Sequence, residues 1–161
     1  MFSRARSFRI ALSTTIALLC VVLLAACGGG GTSKEDYEQA MRSVATDITK
    51  ASNEVSTMKP DATPAQRAAT IKRQGSLLQG AADTAADIDP PADAKEAHDD
   101  FVTALRAYAK LLDKLADASK STKTTQQQAA ILSDAGVQVD KLTKASAALS
   151  KAGYKFESAA K

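Results

Sequence analysis

The sequence predicts an all-α protein, an antiparallel up-down-up-down four-helix bundle that follows a cleaved signal peptide and a glycine-rich tether. Three observations predict this fold. Apolar residues recur every three or four positions from Lys34 onward, helix-breaking signals divide this pattern into four stretches, and the connections between the stretches are short. Because short connections between long helices make neighbouring helices antiparallel, an up-down bundle follows.

The four predicted helices cover about residues 34–58, 64–88, 91–120 and 125–154. Each carries one apolar stripe that we expect to face the core, with the aromatic side chains as core fillers. Gly75 lies on the second stripe, where we expect it to let a bulky neighbour such as Tyr108 approach the helix. The four stripes consist, in order, of Tyr37, Met41, Val44, Ile48, Ala51, Val55 and Met58; of Ile71, Gly75, Leu78, Ala82, Ala85 and Ile88; of Phe101, Leu105, Tyr108, Leu112 and Leu115; and of Leu132, Ala135, Val139, Leu142, Ser146, Leu149 and Phe156.

Capping and helix-breaking residues stand between the stripes. A threonine or serine at positions 32–33 can cap the first helix, and Pro60 ends it because proline lacks the amide donor. Thr63 to Gln66 form a capping box with proline at the first helical position, which starts the second helix. The prolines at 90–91 break the chain before the third helix, and residues 121–125 break it before the fourth.

The first 26 residues have the layout of an export signal. Arg4, Arg6 and Arg9 form a basic region without acids, and an apolar stretch follows from Ile10 to Ala26. As a helix this stretch would span only about 25 Å, less than the ~30 Å hydrocarbon core of a bilayer, so it is a poor permanent anchor. A plain signal peptide cut nearby and an uncleaved transmembrane helix are the alternatives.

The end of the apolar stretch, Leu24-Ala25-Ala26-Cys27, resembles the lipobox of bacterial lipoproteins. The resemblance implies that Cys27 receives a diacylglyceryl group and that a signal peptidase cuts between Ala26 and Cys27. Residues 27–33, which include a run of glycines, would then form a flexible tether. Because two or more acyl chains hold a protein on a membrane far more firmly than one, the resemblance predicts a protein anchored through Cys27 on the extracytoplasmic face of the cell membrane.

Removal of the signal peptide would change both the cysteine inventory and the net charge. Cys20 lies within the signal and Cys27 would carry the lipid, so no thiol remains for a disulfide, a metal site or a nucleophile. The formal net charge of +3 equals the three arginines of the signal peptide, so the mature chain is neutral overall. Without a basic surplus or a basic stretch that contains aromatic residues, we do not expect nucleic acid as a partner.

His98, the only histidine, stands among acidic residues at the start of the third predicted helix. Imidazole and carboxylates can bind a metal, but one histidine without a second soft ligand at helical spacing favours a structural position at the end of the bundle. No catalytic motif surrounds His98, and the adjacent carboxylates of Asp99 and Asp100 point in different directions on a helix. We therefore predict no catalytic, cofactor-binding or metal-binding residues and no enzyme activity.

A second, looser resemblance covers about residues 80–115. A proline pair, an acidic segment with His98 and a pattern of Phe101, Leu105 and Tyr108 are similar to small helical bacterial lipoproteins without assigned chemistry. The expected function is a non-catalytic helical module that binds an envelope protein or organises the envelope. The alternative is a carrier that holds a small ligand or metal between the helices or at the acidic end near His98.

Overall fold

The computed structural model describes residues 32–120 and 125–156. Four helices follow one another in this part of the chain: α1 (Lys34–Ser56), α2 (Pro64–Ala86), α3 (Lys95–Lys120) and α4 (Thr125–Lys151). Each packs against the next, α1 on α2, α2 on α3 and α3 on α4. The predicted all-α up-down four-helix bundle is confirmed. The predicted signal peptide and the first five residues of the predicted tether lie outside the described residues.

The starts of α1 and α2 use the capping signals that the sequence contains. The Ser33 hydroxyl accepts a hydrogen bond from the Asp36 amide at 3.2 Å. At α2 the capping box is complete, because Thr63 Oγ1 accepts from the Gln66 amide at 3.3 Å and Gln66 Oε1 accepts from the Thr63 amide at 2.8 Å. These bonds satisfy amides that have no partner within the helix, so both starts are defined locally.

Several predicted helix ends are wrong by a few residues. The predicted helix from residue 91 begins at Lys95 instead, because a turn comes first, in which the Ala94 amide donates to the carbonyl of Pro91 at 2.9 Å. The predicted helix to residue 154 ends at Lys151, because Gly153 has a φ of +92° and turns the chain away. The ends predicted at 58 and 88 lie two residues too far, since the helices end at Ser56 and Ala86.

The seam between α2 and α3 is built from small residues. Ala81, Ala82 and Ala85 of α2 are buried at 1% exposure or less, as is Leu105 of α3. A Cβ on Gly75 would stand 3.3 Å from the carbonyl oxygen of Ala109, so the two helices approach closely there. The packing role predicted for Gly75 is therefore confirmed, but its neighbour is the α3 backbone and not the bulky Tyr108 ring.

The fourth predicted stripe is only partly buried, which corrects the prediction of a core face along all of α4. Leu132 is 56% exposed and Val139 is 44% exposed, whereas Leu149, near the end of the helix, is 1% exposed. The physical reason is the position of α1. No pair of α-carbons from α1 and α4 lies within 8 Å among the described residues, so the first part of α4 packs on α3 alone.

The described helices belong to one compact unit, which begins at Gly31 and has its own hydrophobic core. A chain segment with its own core is expected to fold without the residues that precede it. No helix among the described residues is both long enough and apolar enough to cross a bilayer.

Candidate functional site

The candidate functional site is a cleft of about 970 Å³ between α1 and α4. It exists because these two helices do not meet, although they are the first and last members of the bundle. One wall is the face of α1 from Met41 to Thr49, the other is the face of α4 from Val139 to Ser150, and α3 supplies the floor through Phe101 and Leu105.

The surface of this cleft is apolar in its depth and carries hydroxyl groups at its rims. Val44 and Leu149 are fully buried at its base, and Ile48 and Leu142 are half-buried on its two walls. Among the residues that line the cleft, Lys155 is the only charged one. The hydroxyl-bearing residues of the two walls are Thr49, Thr143, Ser146 and Ser150.

One end of the cleft is closed by a group of rings that we call the aromatic cluster: Tyr37, His98, Tyr154 and Phe156. Tyr37 is its centre. The Tyr37 ring meets Tyr154 edge-on with 5.2 Å between centroids, and it meets Phe156 edge-on at 5.7 Å. Edge-to-face geometry is the favoured arrangement for such rings. The cluster therefore joins the start of α1 to the segment that follows α4.

The end of α4 positions Tyr154 through a Schellman motif. The Gly153 amide donates to the carbonyl of Ser150 at 3.0 Å and the Tyr154 amide donates to the carbonyl of Leu149 at 3.1 Å, with Gly153 at the left-handed position. The chain then returns to α1, where the Lys155 amide donates to Glu38 Oε1 at 3.1 Å. This geometry sets the Tyr154 ring across the end of the cleft.

The Tyr154 hydroxyl donates a 2.6 Å hydrogen bond to Asp93 Oδ1. Burial of the ring, followed by the hydrogen bond to the Asp93 carboxylate, raises the pKa of Tyr154 to about 12. The tyrosine therefore remains a neutral donor at neutral pH. Its contact with Asp93 connects the turn before α3 to the end of α4.

His98 is only 2% exposed and lies behind Tyr37. Its Nδ1 is 3.0 Å from the Tyr37 hydroxyl, within hydrogen-bond distance, and the backbone of Ala85 lies near the imidazole. Desolvation by burial lowers the pKa of His98. His98 is thus buried near the start of α3, which agrees with the predicted structural position at the end of the bundle.

The acidic residues around His98 are distributed among separate partners. Asp83 accepts from Arg106 at 2.9 Å, and hydrogen bonds from Arg106 and then Gln79 lower the pKa of this carboxyl group. Asp99 lies 3.3 Å from Lys95 in an ion pair. In the part of the chain that the structure describes, no three His, Cys, Asp or Glu residues are grouped so that they could hold a metal ion.

Sequence reasoning missed Tyr154, Lys155 and the cleft itself. Gly153 followed by an aromatic residue at the end of an apolar stripe is a signal for a Schellman motif, and it could have indicated that Tyr154 turns back onto the helix. Phe156 was predicted on the helical stripe, but it packs on the core from the segment beyond α4. No local pattern in the sequence indicates that α1 and α4 lie apart.

Comparison of the chain with family models, curated proteins and solved structures found no match. The predicted lipidation and cleavage residues, Cys27 and Ala26, lie outside the described residues. Function is therefore inferred from the chain's own residues.

Proposed function

We propose that this chain is a lipid-anchored extracytoplasmic binding protein that holds an apolar ligand in the α1–α4 cleft and performs no catalysis. The cleft is the observation that carries the proposal. Protein pockets that bind small molecules are typically about 300–1,000 Å³, mostly apolar, with a few polar groups that orient the ligand. The α1–α4 cleft has this size and this composition.

The chemistry of the cleft supports binding over catalysis. Its hydroxyl groups have no histidine or carboxylate beside them among the lining residues, so a positioned general base is missing. His98, the one histidine, does not line the cleft and is hydrogen-bonded to Tyr37.

The N-terminal pattern supports the anchor, and the two cysteines of the chain provide a matched test. We expect wild type and a Cys20→Ser variant to fractionate with membranes and to show added lipid in intact-mass spectra. A Cys27→Ser variant should lack that mass and should not remain on the membrane. Lipid-modified Cys27→Ser protein, or an unmodified wild type, would refute the anchor.

The binding role can be tested on the unit that begins at Gly31 with an apolar fluorescent dye, anilinonaphthalene sulfonate. Val139 lines the cleft and is 44% exposed, whereas Val137 is 50% exposed on the same helix but lines a groove with Leu111 of α3. We expect Val139→Asp to abolish most of the dye fluorescence and Val137→Asp to leave it nearly unchanged. Equal effects of the two substitutions would locate dye binding outside the cleft.

A second candidate function is recognition of an envelope protein, and the exposed apolar side chains of α4 favour it. Leu132 is 56% exposed and Val137 is 50% exposed. A photocrosslinking amino acid at position 132 or 137 in intact cells should give one discrete product, and the same group at the exposed Lys151 should not. Identical products from all three positions, or none, would count against a partner on α4.

A further inference from the structure

We propose that the ligand of the α1–α4 cleft is a long-chain fatty acid, with its hydrocarbon chain along the apolar floor and its carboxylate beside Lys155. This inference rests on the binding function proposed above and names its ligand class. Three properties of the cleft carry it: its width, its wall chemistry and the position of its single charge.

The width of the cleft suits a hydrocarbon chain better than a protein helix. The lining faces of α1 and α4 run for about 12–16 Å at 1.5 Å per helical residue. The volume of about 970 Å³ then corresponds to a mean cross-section of roughly 60–80 Å². A helix with its side chains, about 10–12 Å across, needs roughly 80–110 Å². A partner helix would therefore be tight at best, whereas an acyl chain is narrower than a helix and fits between the two walls.

The wall chemistry matches a ligand that is apolar over most of its length. Val139 is 44% exposed and Ile48 and Leu142 are half-buried on the facing walls, so a ligand between them, above the buried base of the cleft, would contact apolar side chains on both sides. The walls of the cleft are helical. Its lining residues therefore present neither a strand edge nor a row of paired polar groups to a ligand. Extended peptide would leave its amide groups without partners there, at a substantial cost in free energy, and a methylene chain has none to satisfy.

The single charge stands at the end of the cleft that the aromatic cluster closes. Lys155 follows Tyr154, and its amide is held by Glu38. The Glu38 carboxylate is itself 3.5 Å from the Arg42 guanidinium, so its charge has a partner. No carboxylate lies within 4.0 Å of the Lys155 ammonium among the described residues. The exposed Lys155 side chain is thus available to a carboxylate at the rim, where Ser150 also lines the cleft.

The test uses the unit from Gly31 onward and the fluorescent fatty acid 11-(dansylamino)undecanoic acid, displaced by saturated fatty acids of increasing length. Each buried methylene is worth ~0.8 kcal/mol, so the affinity should rise about fourfold for each methylene added to the chain. The rise should stop once the chain fills the cleft. A steady rise without a plateau would indicate adsorption to the outer surface and would overturn the proposal.

Two pairs of variants locate the two ends of the ligand. Val139→Asp should weaken laurate binding by at least tenfold, and Val137→Asp should not. Lys155→Gln should weaken laurate by about two- to fivefold, the range for an exposed ion pair, and should leave dodecanol unchanged. Lys151→Gln, on an exposed lysine of α4, is the control. Circular dichroism of each variant separates loss of binding from loss of fold.

The outcomes distinguish this inference from the function on which it rests. If a dye binds in the cleft but no fatty acid displaces it, the fatty acid is refuted and the binding function stands. If neither binds, both are refuted. A dimer in light scattering that Val139→Asp dissociates would show that a second copy occupies the cleft, and this result would also overturn the fatty acid proposal.

Discussion

His98 connects three helices through one side chain. It belongs to α3, its Nδ1 lies 3.0 Å from the Tyr37 hydroxyl of α1, and it lies near the Ala85 backbone of α2. A neutral imidazole can accept a hydrogen bond from the Tyr37 hydroxyl at Nδ1. Protonation would convert Nδ1 into a donor and would place a charge in a buried site.

Protonation of His98 should destabilise the folded protein. Burial depresses the pKa of His98 in the folded state below its ordinary value of 6.5, with smaller opposing effects of the Asp99 carboxylate and the Ala85 backbone. The contribution of neutral His98 to stability is therefore complete above about pH 6.5 and is lost as the pH falls toward the folded-state pKa. We expect the free energy of unfolding to decrease by at most ~1.4 kcal/mol per pH unit in that window.

Chemical denaturation between pH 7.5 and about pH 5.5 measures this slope, above the range in which carboxylates dominate. Since His98 is the only histidine, the slope can be assigned to it. The control is His98→Gln, which is less stable throughout but should lose most of the slope. An unchanged slope in that variant would show that another group is responsible.

At the scale of the helices, the two glycines of α2 differ in their surroundings. A Cβ on Gly75 would lie 3.3 Å from the Ala109 carbonyl and 3.4 Å from Leu112 Cβ, whereas one on Gly80 would meet nothing within 4 Å. Alanine in a helix is favoured over glycine by ~1 kcal/mol. Gly80→Ala should therefore stabilise the protein. Gly75→Ala should not, because its Cβ would crowd the Ala109 carbonyl oxygen, a backbone atom that cannot easily move.

We expect Gly80→Ala to be more stable than Gly75→Ala by about 1 kcal/mol in urea unfolding. Gly136→Ala in α4, where a Cβ also meets nothing within 4 Å, is a second open-site control. Equal stabilities for the two α2 variants would mean that α2 and α3 can separate slightly at no cost.

The two halves of α4 differ in how deeply their apolar side chains are buried. Leu132, Val137 and Val139 are between 44% and 56% exposed, whereas Ala145 and Leu149 are at most 4% exposed. Because few buried contacts restrain the first part, its amides should open more easily. We expect amide hydrogen exchange in residues 128–138 to be about tenfold faster, or more, than in residues 143–150.

Hydrogen exchange with mass spectrometry or NMR checks this prediction. The control is α3, which has buried residues from Phe101 to Ala118 and should be protected along that length. Uniform protection of α4 would contradict its division.

For the whole molecule, the aromatic cluster is where the two outer helices are joined. α1 and α4 do not approach each other along their length, but Tyr37 of α1 meets Tyr154 and Phe156 beyond the end of α4. Tyr154 is 3% exposed and hydrogen-bonded to Asp93. It therefore closes one end of the cleft and also links both ends of the described chain.

Tyr154→Ala should reduce the free energy of unfolding by about 3–5 kcal/mol, the range for removal of a large buried ring. Tyr154→Phe keeps the ring and should cost only about 1 kcal/mol through the lost hydrogen bond to Asp93. Thermal and urea unfolding of both variants measure the difference. Similar losses in the two would mean that the hydrogen bond, and not ring packing, holds the outer helices together.

The bundle could be predicted from the sequence because its signals are local. The spacing of apolar residues, the capping box at Thr63 and the proline pair before α3 each act within one helical turn or connection. The position of His98 on a seam could also be predicted, because it precedes Phe101 by three residues. Its partner Tyr37 could not, since 61 residues separate the two in the chain.

The residue pattern alone establishes that the chain from Lys34 onward is helical and in which order its helices follow. Three features depend instead on how the helices pack: the last stripe stays half-open, Tyr154 and Phe156 turn back onto α1, and a cleft lies between the outer helices. The physical reason is that helix formation depends on neighbours three or four residues apart, whereas the gap between α1 and α4 depends on how three successive helix pairs pack.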